Sequence, residues 1–520
     1  MKKKLVVFAS VCLMILPLLS LYAAGRQAQG QAAASAKPQI SITILDRSQV
    51  PAAEGTYEDN RWTRWINENA PVNVKWVPIV RFESVQRTNA LFAADTAPDL
   101  VVEYNKPWMD NFYPQGVIQP LDDIINNQSV EYKAYLQKHP ELLPYMTEDD
   151  GKIYGVSSAR AFNSVINWGA YIRKDWCDKF GMKIPTTTAE ILEFCRRVRD
   201  EDPDGNGRKD TYGFSWHAAG LGILQLQFGN HAINSLKIEN GKAVDWTTTQ
   251  GYRDYLTFVS LLYREGYIDP EFITDKPQYQ RALQQLVTGK VGIFLWNYWM
   301  GENYWREFKN NVPSGEYVAL EPWTTSQGRY GYFTEPPSYY MACMNAASKN
   351  GGDIMKFCDW LISKGWFTLV YGTEGRHYRL VNNIPQTIDP DLNKVEKVYT
   401  PDYAFLRDDA AIMTPDWLPV MAAQDALSQE YVRYQINAVN KILAFPFRRD
   451  TPYAPTSETL VRFGNETRDQ IESIETNIIM GNISLDDGLK QLNDYKNSFG
   501  WQNIIAERDT WYQKNKGLWK

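Results

Sequence analysis

The most specific chemical signal in the chain is a run of nine residues: Asp202, Pro203, Asp204, Gly205, Asn206, Gly207, Arg208, Lys209 and Asp210. Counted from Asp202, oxygen-bearing side chains fall at positions 1, 3, 5 and 9, with glycine at position 6. Alternating oxygens of this kind wrap a hard cation, and the glycine permits the φ > 0 backbone of the sharp turn. The spacing is the first part of an EF-hand loop. It predicts a structural Ca²⁺ held by Asp202, Asp204, Asn206, the backbone carbonyl of Arg208, and Asp210, as a brace and not as a substrate contact. Position 12, where a bidentate glutamate closes an EF-hand, is Gly213. A metal-free polar turn of Asp, Asn and Gly is the alternative.

The second signal is aromatic. The chain holds 18 Trp, 31 Tyr and 21 Phe, and many stand beside polar residues instead of inside apolar runs. Glu103, Tyr104, Asn105 and Trp108 fall together, as do Trp296 and Trp299; Trp168, Trp216, Glu335 and His377 lie in similar settings. A sugar ring has an apolar C–H face and a hydroxyl rim; flat rings stack on the face while carboxylates and amides bond the rim. These ten residues are the candidate ligand contacts. Taken singly, each aromatic is more often a core or lobe-interface side chain; the clusters together favour a binding cleft.

Catalytic signals are poor. No HExxH, GxSxG, GxGxxG or GxxxxGK[ST] stands out, and the four histidines show no paired metal spacing. No catalytic residue is assigned. A glycoside hydrolase or lyase stays open as the alternative, because its carboxylates are spaced in space and not in sequence.

The elements that must position these residues read as α/β. Residues 40–44 alternate like a strand, as do Val72, Val74 and Trp76, and 100–102 form a short apolar run after a turn at 95–99. Between and after them come helical spacings, clearest at Ile191, Leu192, Cys195 and Val198. From about residue 457 the chain reads as two or three amphipathic helices.

At the N-terminus, basic residues 2–4, the apolar stretch 5–21 and small residues at 23–25 match a secretory signal, expected to be cleaved near Gly25. Residues 26–39 begin Gln/Ala/Ser-rich and read as a flexible tether. Gly25 occupies the place a lipid-bearing cysteine would need, and Cys12 lies inside the apolar stretch, so no lipid anchor is expected. The rest is too long for a single core, which implies two or more lobes. A net charge of −6 with no later basic run removes the electrostatic footprint of nucleic-acid binding. Cys177, Cys195, Cys343 and Cys358 lack metal-ligand spacing and read as buried free thiols, with 177–195 or 343–358 bridges as the alternative.

Several segments together resemble the family 1 extracellular solute-binding proteins of bacterial ABC importers, in the branch that includes alginate-oligosaccharide binders. They are 93–101 (AADTAPDLV), 113–122 (YPQGVIQPLD), 151–156 (GKIYGV), 171–176 with 180–187 (YIRKDW, FGMKIPTT), 372–378 (GTEGRHY) and 478–481 (IIMG). The resemblance spans about residues 40 to 515. It implies a two-lobed periplasmic-binding-protein fold with a hinge, an interlobe cleft and a helical C-terminal region. Residues 40–160 plus 335–385 would form lobe 1, and 161–334 plus 386–520 lobe 2. The implied function is that of an ABC-importer receptor: a monomer, periplasmic or extracellular, that captures an oligosaccharide and delivers it to permease subunits without enzymatic activity. Relatives carry Ca²⁺ in the loop at 202–210; Thr211 stands where some have an acidic residue.

Overall fold

The strands follow the alternation and apolar runs of the sequence. The computed structural model describes residues 37–104, 106–161, 168–215, 218–230, 236–275, 280–297, 300–332, 335–445 and 458–517. The expected signal at 1–25 and nearly all of the tether fall outside these residues.

In chain order the strands used below are β1 (Gln39–Asp46), β2 (Asn73–Val80), β3 (Leu100–Tyr104), β4 (Gly155–Val156), β5 (Trp168–Arg173), β6 (Tyr212–Phe214), β7 (Leu236–Glu239), β8 (Lys242–Asp245), β9 (Val291–Asn297), β10 (Tyr317–Leu320) and β11 (Tyr340–Met344). One sheet has the order β2-β1-β3-β11-β4 and a second the order β10-β5-β9-β6. In the first, β1 runs parallel to β2 and β3, while β11 is antiparallel to β3 with Tyr340 opposite Tyr104. In the second, β5 and β9 are antiparallel with Gly169 opposite Trp296, and β6 is parallel to β9. Each sheet is covered by helices and has its own apolar core, the layered solution that buries both faces of a sheet.

Helix starts are set by local chemistry. Asn60 caps Arg61–Asn69: its side chain accepts from the backbone N–H of Trp62 at 2.8 Å and of Thr63 at 3.2 Å. Thr187 and Glu190 form a reciprocal capping box at the head of Thr188–Asp200. That helix buries Ile191, Phe194, Cys195 and Val198, close to the face read from the sequence. Among the described residues beyond 457 there are three helices: Glu458–Ile479, Leu485–Ser498 and Trp501–Asn515.

The two cores divide the chain differently from the expectation at one place. The first core takes Ile40 to Val156 and then Tyr340 to Leu406; the second takes Ala170 to Tyr332 and then Tyr431 to Leu492. Residues 386–406, expected in lobe 2, therefore belong to lobe 1. Tyr399, Tyr403, Phe405 and Leu406 are fully buried there, and Tyr403 stacks edge-on against Trp76 at 4.8 Å. The chain passes between cores from β4 to β5, from β10 to β11, and between Leu406 and the helix Ala426–Leu443. Cysteines 177, 195, 343 and 358 are buried, two in each core, and none is in a disulfide. No helix among the described residues is long and apolar enough to cross a membrane.

Candidate ligand-binding cleft

The carboxyl ends of β1, β2 and β3 share one edge of the first sheet, where open α/β sheets place their ligands. Arg47 follows β1, Arg81 follows β2, and Tyr104 ends β3. Tyr340, opposite Tyr104 on the antiparallel β11, completes a platform: the two rings stack with centroids 4.5 Å apart. Tyr339 meets Tyr340 edge-on at 4.6 Å.

Polar atoms at this edge form a closed ring. Arg47 donates from Nη2 to the Tyr104 hydroxyl, Tyr104 pairs with the Tyr340 hydroxyl at 2.8 Å, and Tyr340 donates to Asp402 Oδ1. Arg47 Nε closes the ring on Asp402 Oδ2 at 2.7 Å. Burial above all, and the nearby acidic groups, hold both phenols above their ordinary pKa, so they remain donors. Burial opposes the charge of Arg47, but Tyr104 and Asp402 beside it more than compensate and keep it a cation.

Further guanidiniums sit over these rings. Arg81 lies 4.7 Å from the Tyr104 centroid; Arg160 and Arg407 lie 4.9 and 4.1 Å from that of Tyr339. Arg81 pairs with Glu103 at 3.5 Å, Arg160 with Glu335 at 3.4 Å, and Arg407 with Asp409 at 3.1 Å. Arg160, Glu335, Tyr339 and Arg407 all stand on segments that pass between the two cores, so this edge lies at the root of the hinge.

The second sheet contributes the matching edge. Trp168 begins β5 and Trp296 lies at the carboxyl end of β9, with Trp168 opposite Asn297 in register. Trp296 is half-buried and meets Tyr304 edge-on at 5.2 Å.

The candidates from the sequence thus separate. Glu103, Tyr104 and Glu335 belong to the first edge, and Trp168 and Trp296 to the second. Asn105, Trp216 and Trp299 fall outside the described residues. Trp108 is instead a core side chain, edge-on to Phe112 at 4.8 Å, because the helix Lys106–Phe112 turns it under the sheet. His377 is also internal, at 1 % exposure. Gly372, at φ +86°, ends a helix and carries the chain past the imidazole; a Cβ there would lie 2.5 Å from His377 Cγ. Thr373 N–H donates to Nδ1 at 2.9 Å, which leaves Nε2 to donate to Glu396 at 3.0 Å. The segment 372–378 is therefore a structural turn. Sequence reasoning missed Arg47, Arg81, Arg160 and Arg407, which no local pattern marks; only the strand-end positions of the first two could have pointed to them.

Acid should loosen the turn. The Arg376 guanidinium, with His377 and Arg61, holds the Glu396 carboxyl at about 2, below the ordinary 4.5. Its contribution is complete above pH 4.5 and is lost as pH falls towards 2. Burial also lowers His377 from 6.5, so protonating it opposes folding in the same direction. Thermal melts of Glu396→Gln should show a lower midpoint at neutral pH and a flatter decline in acid; an unchanged acid limb would deny Glu396 this role.

The loop at 202–210 lies away from both edges. Gly205 and Gly207 have φ of +72° and +77°, and Asp202 itself +46°. Gly207 N–H donates to Asp202 Oδ2 at 2.8 Å, and Asn206 Nδ2 donates to both Asp204 and Asp210 at 3.0 Å. Asp202 Oδ1 is buried with no hydrogen-bond partner among the described residues. Among the described residues, no group of three or more acidic, histidine or cysteine side chains is arranged to hold a metal ion. One cation is already present: Lys290 Nζ lies 2.6 Å from Asp204 and 3.0 Å from Asp210.

Comparison with known proteins agrees with this architecture. Over residues 62–366, more than half of the chain, it matches the model of the bacterial extracellular solute-binding proteins. It is 25% identical over 514 residues to the polygalacturonan/rhamnogalacturonan-binding protein YtcQ of Bacillus subtilis, covering 94% of each chain. Among solved structures it is similar to the substrate-binding protein FusA of S. pneumoniae in complex with kestose (TM-score 0.70, 17% identity, 92% of this chain and 99% of that one). It is also similar to the alginate-binding protein AlgQ2 without calcium ion (TM-score 0.69, 18% identity, 92% and 98%). Those likenesses show the two-lobed fold. The chain belongs to the bacterial extracellular solute-binding protein family, whose members are receptors of ABC transporters and not enzymes.

Proposed function

We propose that this receptor captures an oligosaccharide between its lobes and hands it to the permease subunits of an ABC importer. One observation carries the reading: the carboxyl-end edges of both sheets bear aromatic side chains, and the first backs them with a hydrogen-bonded ring of Arg47, Tyr104, Tyr340 and Asp402. Rings from two lobes can sandwich a pyranose face, while guanidinium and carboxylate bond its rim. A ligand touching both edges stabilises the closed form through contacts the open form lacks. YtcQ, by name, binds polygalacturonan and rhamnogalacturonan, and FusA is seen with kestose; these ligands are saccharides. A thermal-shift screen of neutral and acidic oligosaccharides tests this. At least one should raise the melting temperature in a saturable way, with no product released on long incubation. A flat panel would remove the reading, and turnover would restore the enzyme alternative.

The signal-like leader supports export to the periplasm or outer face of the membrane, where we propose that the receptor works as a monomer. The mass of the exported chain and its size in solution check these points.

The oxygen set at 202–210 supports a structural Ca²⁺ held by Asp202, Asp204, Asn206, the Arg208 carbonyl and Asp210. Lys290 must then yield its place. Calcium should raise the melting temperature of the wild type, and should raise that of Lys290→Gln by more. Equal melting with Ca²⁺ or chelator in both proteins would leave the ammonium as the only brace.

A further inference from the structure

Four guanidiniums at one sheet edge bear on which saccharide is taken. Counted as charges, the edge is balanced: Arg47, Arg81, Arg160 and Arg407 face Asp402, Glu103, Glu335 and Asp409. The balance is not uniform in depth. Arg47 and Arg81 keep 28% and 29% of their side-chain surface exposed, while their partners Asp402 and Glu103 keep 7% and 5%. Each of these two pairs turns its cation to solvent and its anion to the interior.

Donor capacity is unequal as well. Arg47 spends Nε and Nη2 on Asp402 and Tyr104, and its Nη1 makes no hydrogen bond among the described residues. Arg81 uses only Nη1, at 3.5 Å, towards Glu103 and Ser84, which leaves Nε and Nη2 without a partner among the described residues. Both guanidiniums lie against one ring, 5.7 and 4.7 Å from the centroid of Tyr104. A planar fork with two idle donors matches a planar carboxylate, which a neutral hydroxyl cannot fill.

Building on the oligosaccharide reading above, we propose that the ligand is acidic, a uronic-acid-containing oligosaccharide whose carboxylate is read by Arg81 and Arg47 over Tyr104. Arg81 is the discriminating residue, because its side chain is the less committed of the two. Arg47 is bound into the ring with Asp402 and holds the platform in place.

The test uses trigalacturonate, its methyl ester and neutral galactotriose, titrated by calorimetry against the full mature chain. The ester keeps shape and hydroxyls and removes only the charge. Trigalacturonate should bind about tenfold or more tightly than its ester, the scale of one charge-assisted pair, and should weaken with added salt. Arg81→Gln should bring acid and ester to within about threefold of each other, and Arg81→Lys should fall between, since it keeps the charge and loses the fork. A variant that had lost its fold would lose both ligands together and show it in its melting curve; the acid-to-ester ratio in wild type then decides alone. Equal wild-type affinity for acid and ester, or a preference for galactotriose, would overturn the proposal and leave the oligosaccharide reading standing. Absence of binding by any saccharide would remove both.

Discussion

Replacing Lys496 with alanine is expected to destabilise the second lobe by about 3–5 kcal/mol, the range for stripping one partner from a buried ion pair. Lys496 lies on the helix Leu485–Ser498 with 3% of its side chain exposed. Its ammonium meets Asp245 Oδ2 at 2.8 Å, Oδ1 at 3.0 Å and the Thr247 hydroxyl at 2.6 Å, and sits 4.1 Å from the Trp501 ring centroid. Burial lowers its pKa and the Asp245 carboxylate works to restore it. Without the ammonium, Asp245 keeps its bonds from Thr247 but has no positive partner. Because the pair ties the C-terminal helices to the end of β8, denaturant unfolding should show an early transition in those helices. Asp245→Asn added to Lys496→Ala should recover much of the loss by removing the stranded charge. A cost below about 1 kcal/mol would show that the helices are held by apolar packing alone.

The second large effect concerns the platform. Tyr104→Ala should weaken ligand binding by more than tenfold, because it removes one ring of the stack, the link between Arg47 and Tyr340, and the surface under Arg81. Tyr104→Phe keeps the ring and loses only the hydroxyl, so its effect should be a fraction of that. On the facing lobe, Trp296→Ala should cost about 1 kcal/mol or more, on the scale of one aromatic contact. If binding needs both lobes, each single variant should also reduce the ligand-induced closure seen by small-angle scattering. Titration curves that superimpose for wild type, Tyr104→Ala and Trp296→Ala would rule out both edges as the site.

Much of the fold was legible in the sequence because its signals are local. The alternation at 40–44 became β1, the spacing of Ile191, Leu192, Cys195 and Val198 became the helix Thr188–Asp200, and the run at 100–102 became β3. The candidate site was legible only where a residue's position in a strand also fixed its place at an edge. Tyr104 and Trp296 qualify. Trp108 and His377 do not: polar neighbours in sequence said nothing about the turns that fold both side chains inward. The arginines escaped for the opposite reason. Arg47 and Arg407 are 360 positions apart, yet they meet around Tyr104, Tyr340 and Tyr339 because three strands and two interlobe segments end together. The lobe boundary near 385 failed because residues 386–406 lack a strong period of their own and take their burial from Trp76 and its neighbours.

The four thiols have a practical consequence. Cys177 and Cys195 sit in one lobe, Cys343 and Cys358 in the other, all sealed and unbridged. Burial pushes Cys177 up to about 12, and Cys195 and Cys358 rise for the same reason, so an alkylating reagent reacts only when a lobe opens. Mass-resolved alkylation would therefore time the opening of each half separately in the unmodified protein, and would reveal which half a bound sugar steadies first.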